Sequence, residues 1–467
     1  MNNTINPDGQ VLVKAFHAWS AAGTLRSARA RCKRFVYGDQ WADPCADRDG
    51  RRMTEAERVI QNGATPLTNN LLRQLLRTVV GRFRGEVIDK TEHSNRAVAE
   101  LHRAASIDEL DSRLLEEFLI SGCAIQRVER RVDGSIEVAN VNVNHWMADR
   151  LTDPRASDCT LVGQLHELTM ADLLRRVAAG RRGKAQWVRR LYTSRPDERT
   201  SAWTTAIGAD TARCTDFWHS ASERLRAIEL WTRESEEVAV CHNRRTATLS
   251  VIPLTEADRL RRLRQDPDVQ TRWDIVGHWQ CRWFSPMGDL LTSYRADHHP
   301  FAMKLYPLVD GEVHSFVEGA IDQQKHVNRM ITLLDQVMAA NAKGVLLFPE
   351  TALPDGFTWA DIRRAWSNPG GIIPYDPRQS DARPEQIVSN GTDIGAYEMV
   401  KLQMQLLEQV SGVSGALQGR TTGEHSVSLY QMQTRNAEVA LTDLYDSFQN
   451  FRNNRDKLIE QLTRHTP

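Results

Sequence analysis

His314, Glu318, Asp322 and His326 recur every four residues, so a helix would stack them on one face, where imidazole and carboxylate groups are the donors that hold a divalent cation. Such a stripe would suit a metal-dependent nuclease or hydrolase, the ion activating a water molecule. The outer pair of that helix is roughly 18 Å apart, so one ion reaches only adjacent members, and a single face supplies no supporting shell. A solvated polar face therefore accounts for the stripe better than a metal site. His298 and His299, before Pro300, cannot converge on one ion without help from elsewhere. The segment SGVSGALQGRTTG (411–423) lacks the Gly-Lys-Ser/Thr ending that lets a P-loop reach nucleotide phosphates, so it reads as hinge or close-packing sequence. Gly-x-Ser-x-Gly and Cys/His nucleophile signatures are missing too. The sequence thus assigns no catalytic residue, no metal and no cofactor.

The composition of the 467-residue chain, 41% hydrophobic and 26% charged, allows a sizeable core divided into two to four subdomains. Lys plus Arg and Asp plus Glu both number 60, so no global field recruits nucleic acid, and such contact must come from local patches. Seven cysteines without a CxxC pair predict reduced thiols in a cytoplasmic setting, not a zinc ribbon or a disulfide framework. MNNTINPDGQ has neither a basic n-region nor an apolar h-region, and no apolar run is long enough to span a bilayer. The expectation is a protein that is not secreted by that route and does not cross a membrane.

Local signals set out the elements. Thr54 with Glu57 forms a capping box, and LTNNLLRQLLRTVVGRF carries Leu71, Leu72, Leu75, Leu76, Val79 and Val80 on one helical face. A helix from Ile107 leads into two alternating runs separated by Asp133-Gly134, a hairpin signal because both turn positions favour positive φ. Thr169 with Asp172 caps the next helix, and residues 175–195 carry eight basic side chains and no acidic one, either a patch for phosphate or an acidic partner or a solvated face. Two strand-like pieces (226–233 and 239–254) precede a short charged helix, with Thr255 as N-cap and Asp266-Pro267 at its end. An aromatic β-rich stretch, turning at Met287-Gly288-Asp289, reads as a small insertion before a long helix from near Val313 to about Asn341. That helix would span roughly 40 Å. A helix over 396–410 follows, and then a seam at 427, 430, 434, 437, 441, 444, 448, 451, 455, 458 and 462, apolar or small except Thr434 and Arg455. Its periodicity suits packing on another helix, of this copy or the next.

This order of elements resembles the portal (head-to-tail connector) proteins of tailed bacteriophages, particularly those of short-tailed phages. The resemblance is carried by Tyr37-Gly38-Asp39-Gln40-Trp41, by LISGCAIQRV with VNVNHWMADRLTDPRASD, by VEGAIDQQKHVNRMITLLDQV with its spaced Gln and Asn, and by SGVSGALQGRTTGEHSVSLYQMQTRNAEVALTDLYDSF. It implies an α+β portal fold that forms a dodecameric ring at one capsid vertex around a channel for double-stranded DNA packaging and ejection. It further implies a wing (1–253), a first stem helix (254–267), a clip (268–312), a second stem helix (313–342), a wing return (343–422) and a short helical crown (423–467). The implied partners are other copies of the chain, the major capsid protein, the terminase large subunit and head-to-tail adaptor or tail proteins, in the virion and, during assembly, in host cytoplasm. An enzyme is not implied, because the terminase supplies the energy. Arg259, Arg261, Arg262, Arg264, Lys343, Arg363 and Arg364 are the candidates for proximity to DNA, and Trp279, Trp283, Phe284 and Tyr294 those for adaptor or terminase contact. The competing readings are the metal-dependent hydrolase above and a different head-to-tail structural adaptor.

Overall fold

The computed structural model describes residues 7–47, 49–88, 95–131, 133–149, 151–193, 215–218, 220, 223–343, 345–367, 373–376, 384–387, 394–413 and 439–464. In chain order, α1 (Pro7–Ala21), α2 (Gly23–Tyr37), β1 (Pro44–Ala46), β2 (Arg52–Thr54), α3 (Glu55–Gln61), α4 (Leu71–Phe83), α5 (Arg96–Ala104) and α6 (Ile107–Ser121) precede β3 (Cys123–Arg130), β4 (Ile136–Asn140), β5 (Trp146–Ala148) and β6 (Leu161–Leu168). Next come α7 (Met170–Val177), α8 (Arg182–Thr193), α9 (Thr215–Trp218), β7 (Leu225–Asn243), β8 (Thr248–Pro253), α10 (Ala257–Arg264), β9 (Val269–Phe284) and β10 (Leu290–Ala296). The remainder is β11 (Phe301–Leu305), β12 (Leu308–Val309), β13 (Glu312–Val313), α11 (Ile321–Lys343), β14 (Val345–Leu347), α12 (Trp359–Ser367), β15 (Glu385–Ile387), α13 (Ile394–Ser411) and α14 (Thr442–Arg464). This mixture of helix and sheet is that of an α+β chain. It divides into two compact units, one from the described residues of Met1–Lys33, Gln74–Gly319 and Gly415–Pro467, the other from those of Arg34–Arg73 and Ala320–Ser414.

The first unit is built on an antiparallel sheet ordered β10-β9-β7-β6-β5, with β8 also paired to β7. β7 and β9 run side by side from the pair Ile228 and Phe284 to the pair Asn243 and Val269. Near its start β7 is covered on both faces. Ile228 and Leu230 lie under Leu12 and Phe16 of α1, and Ala227 and Trp231 lie in the core that takes in Leu173, Val177 and Val188 of α7 and α8. Double coverage explains the nearly unbroken apolar run there, and the alternation in Glu234–Glu237 marks where one face opens to water. The two strand-like pieces expected over 226–233 and 239–254 are therefore joined: the first and the start of the second make one strand, because the β9 ladder continues past the charged stretch. Residues 268–312 do not stand apart as an insertion either. β9 and β10 extend the sheet of β5–β7, and β11 pairs with β3 in a second sheet, β11-β3-β4. The hairpins are as read from the sequence, with Gly134 at φ +85° between β3 and β4 and Gly288 at φ +85° between β9 and β10, although the first turn is wider than Asp133-Gly134 alone and is closed by Arg131 N–H on Ser135 O at 2.8 Å.

α14 packs on β3, β11 and α5 of its own unit. Phe448, Phe451 and Ile459 are fully buried there, with Phe448 against Phe83 and Phe118. The seam expected to reach for another helix is thus largely turned onto a sheet of the same chain; its positions 427, 430, 434 and 437 lie outside the described residues.

In the second unit, Thr54 and Glu57 form the expected capping box at α3. α11 packs on α13, and β14 pairs with β15. The long helix begins at Ile321, after a 3-10 turn at Glu318–Ala320, and not near Val313, which belongs to β13. The start has a local cause that the sequence did carry, Ser315-x-x-Glu318. Ser315 Oγ accepts from the Glu318 N–H at 3.0 Å, the same chemistry as a capping box. The short helix α10 likewise begins after Glu256, one residue beyond the expected Thr255, and its N-cap side chain makes no hydrogen bond.

Candidate functional site

The arginines proposed for DNA fall into two groups. Arg259, Arg261, Arg262 and Arg264 share α10, whose Leu260 and Leu263 pack on Ala239, Cys241 and Ile252 of the sheet and so turn all four guanidinium groups to solvent. Only Arg259 has a carboxylate partner among the described residues, Glu256 at 3.1 Å. Arg363 and Arg364 are exposed on α12 in the second unit, with Arg364 4.0 Å from Asp361; Lys343 ends α11, and its side chain lies outside the described residues. Of the four aromatics, Trp283 and Phe284 are buried on opposite faces of the large sheet and have no surface to offer a partner. Tyr294 is 45% exposed and touches Trp231 edge-on, while Trp279 is half-buried against the His299 ring.

Among the described residues, the groups that could do chemistry do not assemble into a reactive site. His314 lies ahead of α11 and comes no closer than 3.8 Å to Glu318, and no set of three His, Cys, Asp or Glu side chains among the described residues could hold an ion. Glu229 centres a buried titratable cluster in the large sheet. It accepts from Arg127, from Trp231 Nε1 at 2.8 Å and lies 2.6 Å from His166 Nε2, whose ring stacks on Trp283. Burial, the largest single influence, raises the Glu229 carboxyl, but the Arg127 charge, together with the charge of His166 and the hydrogen bonds from both, outweighs it and holds the group far below the usual carboxylate range, while burial lowers the His166 imidazole pKa. Glu229 has no exposed surface, so this cluster is a buried polar support of the sheet. Burial also pushes the Cys123 thiol up to about 12, far from a nucleophilic thiolate. No disulfide joins the six described cysteines.

His299 is structural as well, its Nδ1 accepting from the Phe301 N–H at 3.2 Å where β11 begins. Burial, with His298 beside it, pulls this imidazole from 6.5 down to about 4. The folded state therefore takes up this proton later than the unfolded chain, so the associated stability is complete above pH 6.5 and declines as pH falls toward 4. The loss over that window is on the order of 3 kcal/mol. His299→Asn keeps an acceptor for Phe301 and cannot titrate, and we expect it to flatten the fall of Tm between those two pH values; an undiminished slope refutes the assignment.

Two polar networks, whose partners no sequence signal gave, brace the described residues. In the first unit, Asp111 of α6 is completely buried and receives Arg455 Nη1 at 2.5 Å and Arg452 Nε at 2.8 Å from α14. Gln126 of β3 bonds both Asp111 and Arg455, and Arg455 also reaches Asp456, itself 3.1 Å from His102. In the second unit, α11 presents Gln324, Asn328 and Thr332 as a buried stripe to the segment 67–72. Thr332 accepts from the Leu67 N–H at 3.1 Å, Asn328 from that of Asn69 at 3.0 Å, and Gln324 from those of Leu71 and Leu72 at 3.0 and 3.2 Å. The match is metrical: four helical residues rise about 6 Å and two extended residues about 6.6 Å, so an i, i+4 row of side chains can follow alternate backbone groups of an extended segment. Gln324 Nε2 completes the set by donating to Asn69 O at 2.6 Å, and Asn328 donates to Gln40. Beside this stripe Lys325 pairs with Asp43 and Glu55, and Arg329 with Glu55. Polar residues spaced by four on an otherwise apolar helix face were the available signal, though not their partner.

The described residues thus present exposed cationic helices and internally braced frames, and no reactive pocket. No curated protein matches the chain. Among protein families, the model described as Phage P22-like portal protein matches residues 154–463.

Proposed function

The chain belongs to the P22-like phage portal protein family, and from this we propose that it forms the ring at the unique capsid vertex, through whose channel double-stranded DNA is packaged and later ejected. The family match is the single observation that carries the reading, since it covers most of the chain and includes both long strands, α11 and α14. A portal role needs no catalytic residue; the terminase large subunit would dock during packaging, and a head-to-tail adaptor would take its place afterwards. The proposed division keeps α10 and α11 as the two stem helices, the connection between them as the clip and 423–467 as the crown, with the amendment that β9 and β10 share a sheet with β7. Trp279 and Tyr294 remain the proposed aromatic contacts for the docked partner.

Ring formation is tested by imaging the purified protein in negative stain, alone and with capsid protein: closed rings support the reading, and monomers under both conditions defeat it. The role of α10 has a separate readout. Each phosphate neutralised by a cation contributes about 0.9 to the slope of log affinity against log salt for duplex DNA. Replacing Arg261, Arg262 and Arg264 together by Ala leaves Leu260 and Leu263 in place. The slope is expected to become shallower by roughly 2–3; an unchanged slope removes α10 from the DNA path.

A further inference from the structure

The first unit carries a cleft of about 600 Å³ between the α1–α2 junction and the β12–β13 turn. Its apolar wall is made by small residues such as Ala22 and by Leu25, and its polar lining includes four carboxylates, Asp149, Asp310, Glu312 and Glu318, with no Lys or Arg. Trp146 also lines it; the residue is 3% exposed, and its buried Nε1–H has no acceptor among the described residues. These carboxylates are not grouped as metal ligands among the described residues. An occupant that meets the apolar wall and the carboxylates brings apolar side chains and positive charge, which is the chemistry of a basic polypeptide segment.

The same unit displays that chemistry on its own surface. α8 and the residue before it carry Arg181, Arg182, Lys184 and Arg189, none of which pairs with a carboxylate among the described residues, and Trp187 stands among them 42% exposed. Tryptophan flanked by arginine is the composition of an interface anchor, not of an ordinary solvated face. Burial and the neighbouring Arg181 also lower the Lys184 pKa, so an acidic partner would relieve it. The overall balance of 60 basic against 60 acidic residues is therefore divided into separate patches of opposite sign. Two different complementary patches on one chain define a head-to-tail contact, the kind that closes into a ring when the rotation permits.

We propose that the acidic cleft receives α8 of a neighbouring copy, and that this contact joins adjacent subunits of the ring. The inference rests on the ring reading above and adds to it the identity of the two surfaces. Charge exchange tests it. One variant carries Glu312→Arg and Glu318→Arg, the other Arg182→Glu and Arg189→Glu. Mass photometry of each variant alone should show ring content at least tenfold below wild type, because like charges then meet at every contact. An equimolar mixture should recover rings with alternating copies, because each reversed cleft then meets a reversed helix. Wild-type ring content in either variant alone, or no recovery in a mixture of variants whose melting temperatures match wild type, overturns the proposal. If a variant does not fold, the unaltered protein decides. Zero-length carbodiimide coupling in wild-type rings built from isotopically light and heavy copies should link Lys184 to Glu312 or Glu318 between copies, and absence of that link in rings that do form refutes the proposal while leaving the portal reading intact. Failure of the wild type to form rings with capsid protein present defeats both.

Discussion

Asp111→Ala is expected to lower stability by about 3–5 kcal/mol, because it takes from two buried arginines the one fully buried carboxylate they share, leaving Arg455 with Asp456 and Arg452 with the half-exposed Asp108. Arg452 and Arg455 are at most 1% exposed, and each directs a short hydrogen bond at this one carboxylate. Gln126 can replace only one of those acceptors. The loss should appear as a shift of the urea midpoint followed by tryptophan fluorescence, and as faster proteolysis near α14, the element that the pair holds against α6 and β3. The mechanism makes a second claim that separates it from simple packing loss. Removing the carboxylate together with both charges, as Asp111→Leu with Arg452→Met and Arg455→Met, leaves no arginine without its carboxylate, with Asp456 still 3.1 Å from His102, and should restore most of the stability, as apolar replacements of buried ion pairs often do. A triple variant as unstable as Asp111→Ala would show that shape and not charge governs the contact. Should the single substitution prove nearly neutral, α14 must be held chiefly by Phe448, Phe451 and Ile459.

Gln324→Leu is the counterpart in the second unit, with an expected loss of roughly 2–4 kcal/mol. Leucine fits the apolar spacing of α11 but removes the Gln324 acceptor from the Leu71 and Leu72 N–H groups and the Gln324 donor from the Asn69 carbonyl; Leu71 N–H keeps its 2.9 Å bond to Asn69 O, so the buried Leu72 N–H is the group left without its acceptor. Each such orphan, if buried, costs about 1–3 kcal/mol. The two N–H groups open α4, so the side chain of a distant helix serves as its N-terminal cap. Gln324→Glu offers a graded comparison, since a carboxylate can still accept both bonds and suits a helix N-terminus, while it cannot donate to Asn69. The expected order of melting temperature is wild type, then Glu, then Leu. Amide exchange at Leu72 gives the local check: protection should fall sharply in the Leu variant and only slightly in the Glu variant. Equal protection in all three would mean that Gln324 is not the cap.

Both predictions concern contacts that no local pattern announced. Arg455 was visible in the sequence as an exception within an apolar seam, and an exception of that kind is as compatible with a solvated residue as with a buried one. The buried stripe Gln324, Asn328 and Thr332 reads as the polar face of α11 until its partner is known. The aromatic candidates divided for the same reason. Trp283 and Phe284 look like anchors in one dimension, but β9 lies between β7 and β10 in the sheet, and both of its faces are covered where they sit. Tyr294, on the edge strand β10, keeps its surface.

What the sequence determined by itself are the features whose cause lies within a few residues. The Thr54–Glu57 capping box, the Thr169 cap, the Asp133-Gly134 and Gly288 turns and the helices of the Leu71–Phe83 and Ile107–Ser121 segments each follow from backbone sterics or a near-neighbour hydrogen bond, and each is present. The Ser315–Glu318 pair belongs with them, although the apolar periodicity running back to Val313 concealed it. Only the tertiary structure decided what each apolar or polar face meets: β9 along the whole of β7, β11 beside β3, Asp111 against Arg455 from 344 residues away, Gln324 against Leu71 from 253. A period of two or of 3.6 states that a face is buried and leaves its partner open, because burial free energy depends on area and not on the identity of the covering residue. Partner and register are selected by long-range fit among packed faces and paired charges.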